Sequence, residues 1–250
     1  MKCAAVIAVV IALAGAARAE PVRHRSAHLA GLAVGGALYL GAGFAQDDLA
    51  PAACRWCDAN GLDASVRDAL VWSDTGRAGG ASTVTGYFLA PVSALGLLAF
   101  DDTPRFIDDA IPVIEGVLAA QLFTQVVKLT FGRQRPYAHF ATAPLTPSSE
   151  DNLSFSSGHT SIAFAFAAGA GYVAHRRRLR LEPVIWASGL ALAATTAYLR
   201  IAADKHYLTD TLAGAAIGSA AGLFVPRLTG ALPEMEVVPT RSGIALAGTF

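Results

Sequence analysis

Six stretches of this chain carry little charge, and each is long enough to be a helix: His28–Ala45, Ala81–Phe100, Ile107–Val127, Thr160–Ala174, Pro183–Leu199 and Tyr207–Val225. None alternates apolar and polar residues with the period of a strand. The last two are apolar on every face, which places such a helix inside a large core or in lipid. Crossing a bilayer takes about 20 residues, within a range of about 17–25, and these stretches fall at or just below that length. Only 15% of the residues are charged, against about 25% in ordinary soluble domains. Alanine and glycine fill the apolar segments, and small residues let helices approach closely in lipid. The expectation is an all-α bundle of about six helices, embedded in a membrane; the competing reading is a soluble helical bundle with an Ala/Gly-rich core. A formal net charge of zero gives no sign of a nucleic-acid partner.

Charge at the segment ends predicts a topology. "HRRRLR" (His175–Arg180) is the strongest basic cluster and belongs on the cytoplasmic side. The far ends of its two flanking segments, with Ser157-Gly158-His159 and with Arg200, then lie outside, as do "FGRQRP" and the Cys54/Cys57 loop, while "DDTPR" lies inside. Residues 1–19 place Lys2 before an apolar run, Cys3–Ala17, and end on Ala17-Arg18-Ala19, the pattern of a signal peptide or of an N-terminal anchor that stays attached. The topology puts the start of the His28 segment inside, whereas a cleaved signal would leave it outside. Residues 20–226 read as one helical domain and 227–250 as a tail, whose β-branched residues and turn predict a short β-hairpin or a frayed end. Gln46–Gly80 is polar, with turn signals, and reads as an external loop containing one short helix. Cys54 and Cys57, in "CRWC", can pair in an oxidising space. A redox motif needs a βαβ context and a zinc site two further ligands; neither is visible, so a local disulfide stapling the loop is expected.

Three blocks place basic and histidine side chains at the ends of apolar segments: "KLTFGRQRP" with Lys128, Arg133, Arg135 and Pro136; "SFSSGHT" with Ser157, Gly158 and His159; and "LRIAADKHYLTD" with Arg200, His206 and Asp210. Each alone has a bland account. Cations favour helix C-termini, Ser156 or Ser157 can be a helix N-cap, and His206 and Asp210, four apart, can make a surface pair. Together they suit one anionic ligand. Helix N-termini bind anions, arginines fork onto phosphate oxygens, and a histidine oriented by a carboxylate is an activated nucleophile or base.

These residues resemble the type 2 phosphatidic acid phosphatase (PAP2) superfamily, whose site is shared with vanadium haloperoxidases. The family's first motif is Lys, six residues, Arg-Pro, matched by Lys128 and Arg135-Pro136. Its second is Pro-Ser-Gly-His, matched by Ser157-Gly158-His159 with Ser156 in place of proline. Its third is Ser-Arg, five residues, His, three residues, Asp, matched by Arg200, His206 and Asp210 with Leu199 in place of serine. The likeness covers roughly residues 107–225. Neither departure removes a side chain the chemistry needs, and Arg133 and His139 match no motif position and are read as substrate-loop residues.

The resemblance implies a metal-independent phosphatase, without cofactor, acting on a phosphorylated lipid or small phosphoester. His206 attacks phosphorus, Asp210 bonds its other nitrogen, and His159 protonates the leaving oxygen. Lys128, Arg135, Arg200, Ser157 and Gly158 hold the phosphoryl oxygens. It also implies a bacterial-type inner membrane location with the site facing the periplasm. A soluble periplasmic acid phosphatase uses the same residues. A vanadate-dependent haloperoxidase would use the same oxyanion cage, and a non-catalytic lipid-phosphate binder is the remaining class.

Overall fold

The computed structural model describes residues 25–102, 105–229, 235–240 and 243–248; the signal or anchor expected at 1–19 lies outside them. Each of the six apolar stretches lies, to within a residue at its ends, inside a long helical rod. These are α1 (Arg25–Phe44); the continuous rod made of α4 (Thr75–Thr83), a π-helical turn (Val84–Leu89) and α5 (Ala90–Asp101); α6 (Phe106–Phe131); α8 (Gly158–Arg177); α9 (Glu182–Ala202); and α10 (Leu208–Thr229). The expected count of about six therefore describes the long rods and leaves out shorter helices: α2 (Gln46–Leu49), α3 (Gly61–Leu70) and α7 (Pro136–His139). Gln46–Gly80 is correspondingly not a loop with one helix. It holds α2, α3 and the start of α4, each helix too short and polar to show an apolar face in sequence. Side-chain caps start two of them: Asn60 accepts from the Asp63 N–H and Asp74 from the Arg77 N–H, satisfying donors that a helix start leaves free. Beyond α10, β1 (Met235–Thr240) and β2 (Gly243–Gly248) pair antiparallel.

Four rods are long and apolar enough to cross a membrane: Thr75–Asp101, Phe106–Phe131, Glu182–Ala202 and Leu208–Thr229. They turn large apolar side chains outward, among them Phe88, Val92, Phe123, Leu190, Leu212 and Phe224. A continuous apolar exterior of that kind suits a lipid environment rather than water, and the chain is a membrane protein. α8 is different in character because it occupies the centre, packed against α5, α6, α9 and α10. Its neighbours are protein, so it is built from small residues, and most of it is buried.

Close backbone approach locks α8 to α10. A Cβ at Gly214 would stand 2.5 Å from the Ser157 carbonyl oxygen, and one at Gly222 2.6 Å from that of Ala165; Gly218 faces Ser161 in the same way. Spaced four apart, these glycines make one stripe along α10. The stripe fixes the start of α8 against the start of α10, where the Ser157 N–H donates to the Asp210 carbonyl at 3.0 Å.

The two ends of the bundle differ in chemistry. At one end Arg177 bonds Asp109 at 2.8 Å, and the Leu181 N–H at the start of α9 donates to Asp101 at 2.9 Å. The basic cluster thus sits with the α5–α6 turn. All three motif blocks lie at the opposite end. α1 runs between the two ends: His28 bonds Glu115 of α6 at 2.7 Å, and Gln46, just past α1, donates to Glu150 at the motif end at 3.0 Å.

Candidate active site

α6 delivers the first cation. Lys128 lies in its last turn, and Gly132 closes the helix in the left-handed conformation at φ 54°, which glycine adopts without a Cβ penalty. The turn throws Arg133–Arg135 into an extended segment. Arg135 precedes α7 and is almost fully buried. Its Nε donates to the Glu150 carbonyl at 2.8 Å, Nη2 to the Glu150 carboxylate at 2.6 Å and Nη1 to the Lys205 carbonyl at 3.3 Å.

α8 delivers the second block at its N-terminus. Ser157 holds the N-cap position, but no side chain caps this helix. The Ser157 hydroxyl instead accepts from Thr160 at 2.9 Å, and the Ser156 hydroxyl is buried with no partner among the described residues. Ser157 is thus the N-cap by position, without a side-chain capping bond. Lys128 reaches the first turn of the helix: a Cβ at Gly158 would stand 3.6 Å from its Nζ. A glycine here keeps the ammonium and the backbone amides in one small space. His159, one residue on, meets Tyr87 edge to face with centroids 4.6 Å apart and lies 3.3 Å from the Thr83 hydroxyl. Both contacts come from the α4 rod where it enters its π-helical turn.

The third block spans the α9–α10 connection. Arg200, in the last turn of α9, donates through Nη1 to Ser82 at 3.2 Å, while its buried Nε has no partner among the described residues. A buried donor left unpaired is costly, and an oxyanion in this space would satisfy it. His206 is 1% exposed. Its Nδ1 lies 2.7 Å from the Ser154 carbonyl. A carbonyl has no proton to give, so Nδ1 carries the hydrogen and Nε2 presents a lone pair. Lys128, Arg135 and Arg200 all act electrostatically on this ring; burial foremost, and these cations with it, hold its pKa well below the ordinary value, against the opposing pull of the Ser154 carbonyl. His159 lies within electrostatic reach of the same cations and of His206.

The structure thus brings Lys128, Arg135, Ser157, Gly158, His159, Arg200, His206 and Asp210 to one end of the bundle, with three corrections. Asp210 does not bond the second nitrogen of His206 directly; its Oδ2 is 3.7 Å from Nδ1, and the bond goes to Ser154. Arg133 is no substrate-loop residue: it is fully buried, between the rings of Trp56 at 4.0 Å and Tyr207 at 4.2 Å. His139 is exposed and stacks on Phe140 rather than entering the site. Sequence reasoning also missed Ser154, Glu150, Ser82 and Asp63. Ser154 alone carried a signal, as the first residue of the SFSSGHT block.

Cys54 and Cys57 are joined in a disulfide, and the loop they close grips the first block. Arg55 Nη1 donates to the carbonyls of Leu129 and Thr130 at 3.1 and 2.9 Å, satisfying the end of α6. The Gln134 N–H donates to the Trp56 carbonyl at 3.0 Å.

The sequence matches the PAP2 superfamily over residues 109–233, and the chain belongs to that superfamily. Among curated proteins it is 30% identical, over 161 residues, to a probable lipid phosphate phosphatase beta of Arabidopsis thaliana; the match covers 56% of this chain and 73% of the relative. Two solved structures are similar. LpxE of Aquifex aeolicus shares 23% identity at a TM-score of 0.45, covering 66% of this chain and 93% of that one. A transmembrane PAP2-type phosphatidylglycerolphosphate phosphatase of Bacillus subtilis shares 15% identity at a TM-score of 0.46, covering 90% and 94%.

Proposed function

We propose that this chain hydrolyses phosphate monoesters or diphosphates of lipids through a phosphohistidine. The observation that carries the reading is the His206 ring, with Nδ1 committed to the Ser154 carbonyl and three cations acting on it. Nε2 attacks phosphorus and the bond to the ester oxygen breaks. His159 delivers a proton to that oxygen, then takes one from the water that releases phosphate. Lys128, Arg135, the Arg200 Nε, the Ser157 hydroxyl and the Gly158 N–H hold the phosphoryl oxygens, so fixed cations meet the developing charge. Membrane-spanning helices, together with the name carried by the Arabidopsis relative, favour a lipid phosphate as substrate.

The basic cluster at the far end of the bundle is the cytoplasmic end in this reading, and the site opens on the periplasmic side of a bacterial-type inner membrane. α1, which runs toward the site end, then starts on the cytoplasmic side. The Cys54–Cys57 bond suits an oxidising periplasm.

His206→Ala is expected to lower turnover of dioleoyl phosphatidate in mixed micelles at least about 10³-fold while leaving the helical circular-dichroism signal intact. Rapid quench of the wild type is expected to trap an acid-labile, alkali-stable phosphoenzyme that the variant lacks. Wild-type turnover in a folded His206→Ala protein would end the proposal.

A further inference from the structure

Asp63 lies in α3, ahead of the matched family region and of all three motif blocks, yet it is fully buried against them. Its Oδ2 accepts from Arg133 Nη2 at 2.7 Å and from the Thr209 hydroxyl at 2.7 Å, and its Oδ1 from the Thr209 N–H at 3.0 Å. Arg133 turns its other terminal nitrogen, Nη1, to Asp210 Oδ1 at 2.6 Å. Asp210 Oδ2 in turn accepts from the Ser154 hydroxyl and from the Tyr207 N–H at 2.8 Å. Ser154 then holds His206 through its carbonyl. The chain of contacts runs without a gap from α3 to the nucleophile.

The charges in that chain are unequal. Two carboxylates face one guanidinium, and the side chains of all three have no exposure. A buried ion pair is seldom worth more than an apolar replacement, so stability is a poor reason for burying three charges. Catalysis supplies a better one. When His206 Nε2 bonds phosphorus, Nδ1 keeps its hydrogen and the ring becomes cationic. An Arg133–Asp210 pair alone is neutral overall and offers that cation little. With Asp63 added, the cluster carries one net negative charge, 3.7 Å from Nδ1 at its nearest carboxylate, in a setting where water screens weakly.

We propose that Asp63 is a positioning residue for the histidine nucleophile: it offsets the charge of Arg133, so that the cluster beside His206 keeps one net negative charge. The proposal rests on the phosphohistidine reading. Its signature is a loss confined to kcat, because the groups that hold phosphate lie elsewhere.

The experiment compares wild type, His206→Ala, Asp63→Asn and the double variant Asp63→Asn/Arg133→Gln with a soluble phosphate monoester, each checked by circular dichroism. Asp63→Asn is expected to lower kcat roughly 10–100-fold, with KM and the inhibition constant of inorganic phosphate within about threefold of wild type. The double variant restores the single net negative charge and is expected to regain at least about threefold in kcat over Asp63→Asn; a merely structural role predicts no such rescue. Unchanged kcat in Asp63→Asn, a loss lying in KM, or a folded double variant no better than Asp63→Asn would each overturn the proposal. Should Asp63→Asn fail to fold, the double variant decides alone: kcat within about tenfold of wild type supports the proposal, and a larger loss overturns it. A fully active His206→Ala would instead sink the phosphohistidine reading, so the two failures are distinguishable.

Discussion

His206 owes its chemistry to what surrounds it. The Ser154 carbonyl fixes the tautomer at 2.7 Å, and burial beside Arg200, Arg135 and Lys128 keeps the ring from taking a proton. The direction has a kinetic consequence. An unperturbed imidazole is half protonated near pH 6.5, and protonation removes the lone pair that, in the proposed mechanism, attacks phosphorus. Because the pKa here is depressed, lowering the pH through 6.5 leaves His206 neutral and its nucleophilicity intact; activity is lost only further into the acid range. The expected acid limb of kcat/KM therefore has its midpoint well below about 6.5. Stopped assays from pH 4 to 8 with a substrate whose own ionisation is corrected for will show it. A midpoint at or above that value would contradict the environment described for this ring. The neighbouring Glu150 is shifted in the same direction with the opposite result for its charge: burial would raise its pKa, but Arg135 and Lys128 override that and lower it, so it stays ionised and keeps one arm of the Arg135 fork occupied.

The elements divide by how they wrote themselves into the sequence. The long rods were legible because each is an apolar run ended by charge or a turn, and eight motif residues were legible because their spacing resembles three family motifs. α3 was not legible. Its ten residues include a single buried side chain, Asp63, and a lone aspartate in a polar stretch looks like any surface residue. Arg133 was misread for the same reason: nothing local marks an arginine whose partners, Asp63 and Asp210, lie 70 and 77 residues away. The glycine stripe of α10 is an intermediate case. Small residues at four-residue spacing announce a close helix contact, but not which helix they meet. With α8 now identified as the partner, Gly218→Leu is expected to be severe, since its Cβ would collide with the backbone at Ser161. Forcing α8 and α10 apart should cost about 3 kcal/mol or more and appear as a lowered midpoint of thermal unfolding in detergent. It would also separate Ser157 from Asp210 and so lower activity. A Gly218→Leu protein as stable and active as wild type would mean the helices are not locked by that stripe.

At the scale of the whole molecule, one end of the bundle carries the site and the other a run of basic residues, and the membrane-spanning rods connect them. The two ends therefore face different compartments, and a single physical bias chooses between the two orientations. Basic residues near segment ends resist translocation, and His175–Arg180 is the strongest such group in the chain, which is the ground for proposing that the site faces outside. The disulfide at the site end fits the same choice. Single cysteines can read the orientation directly in a chain carrying Cys3→Ser, because Cys54 and Cys57 are already bonded to each other. Ala141→Cys lies on the exposed loop at the site end and Arg180→Cys on the exposed basic turn. In intact bacterial spheroplasts, a membrane-impermeant maleimide is expected to label position 141 at once and position 180 only after permeabilisation. The reverse pattern would put the site in the cytoplasm and leave the basic cluster outside, against its charge. Labelling of both positions without permeabilisation would mean that the rods do not cross the bilayer, and the lipid-facing reading of Phe88, Val92 and Leu212 would fall with it.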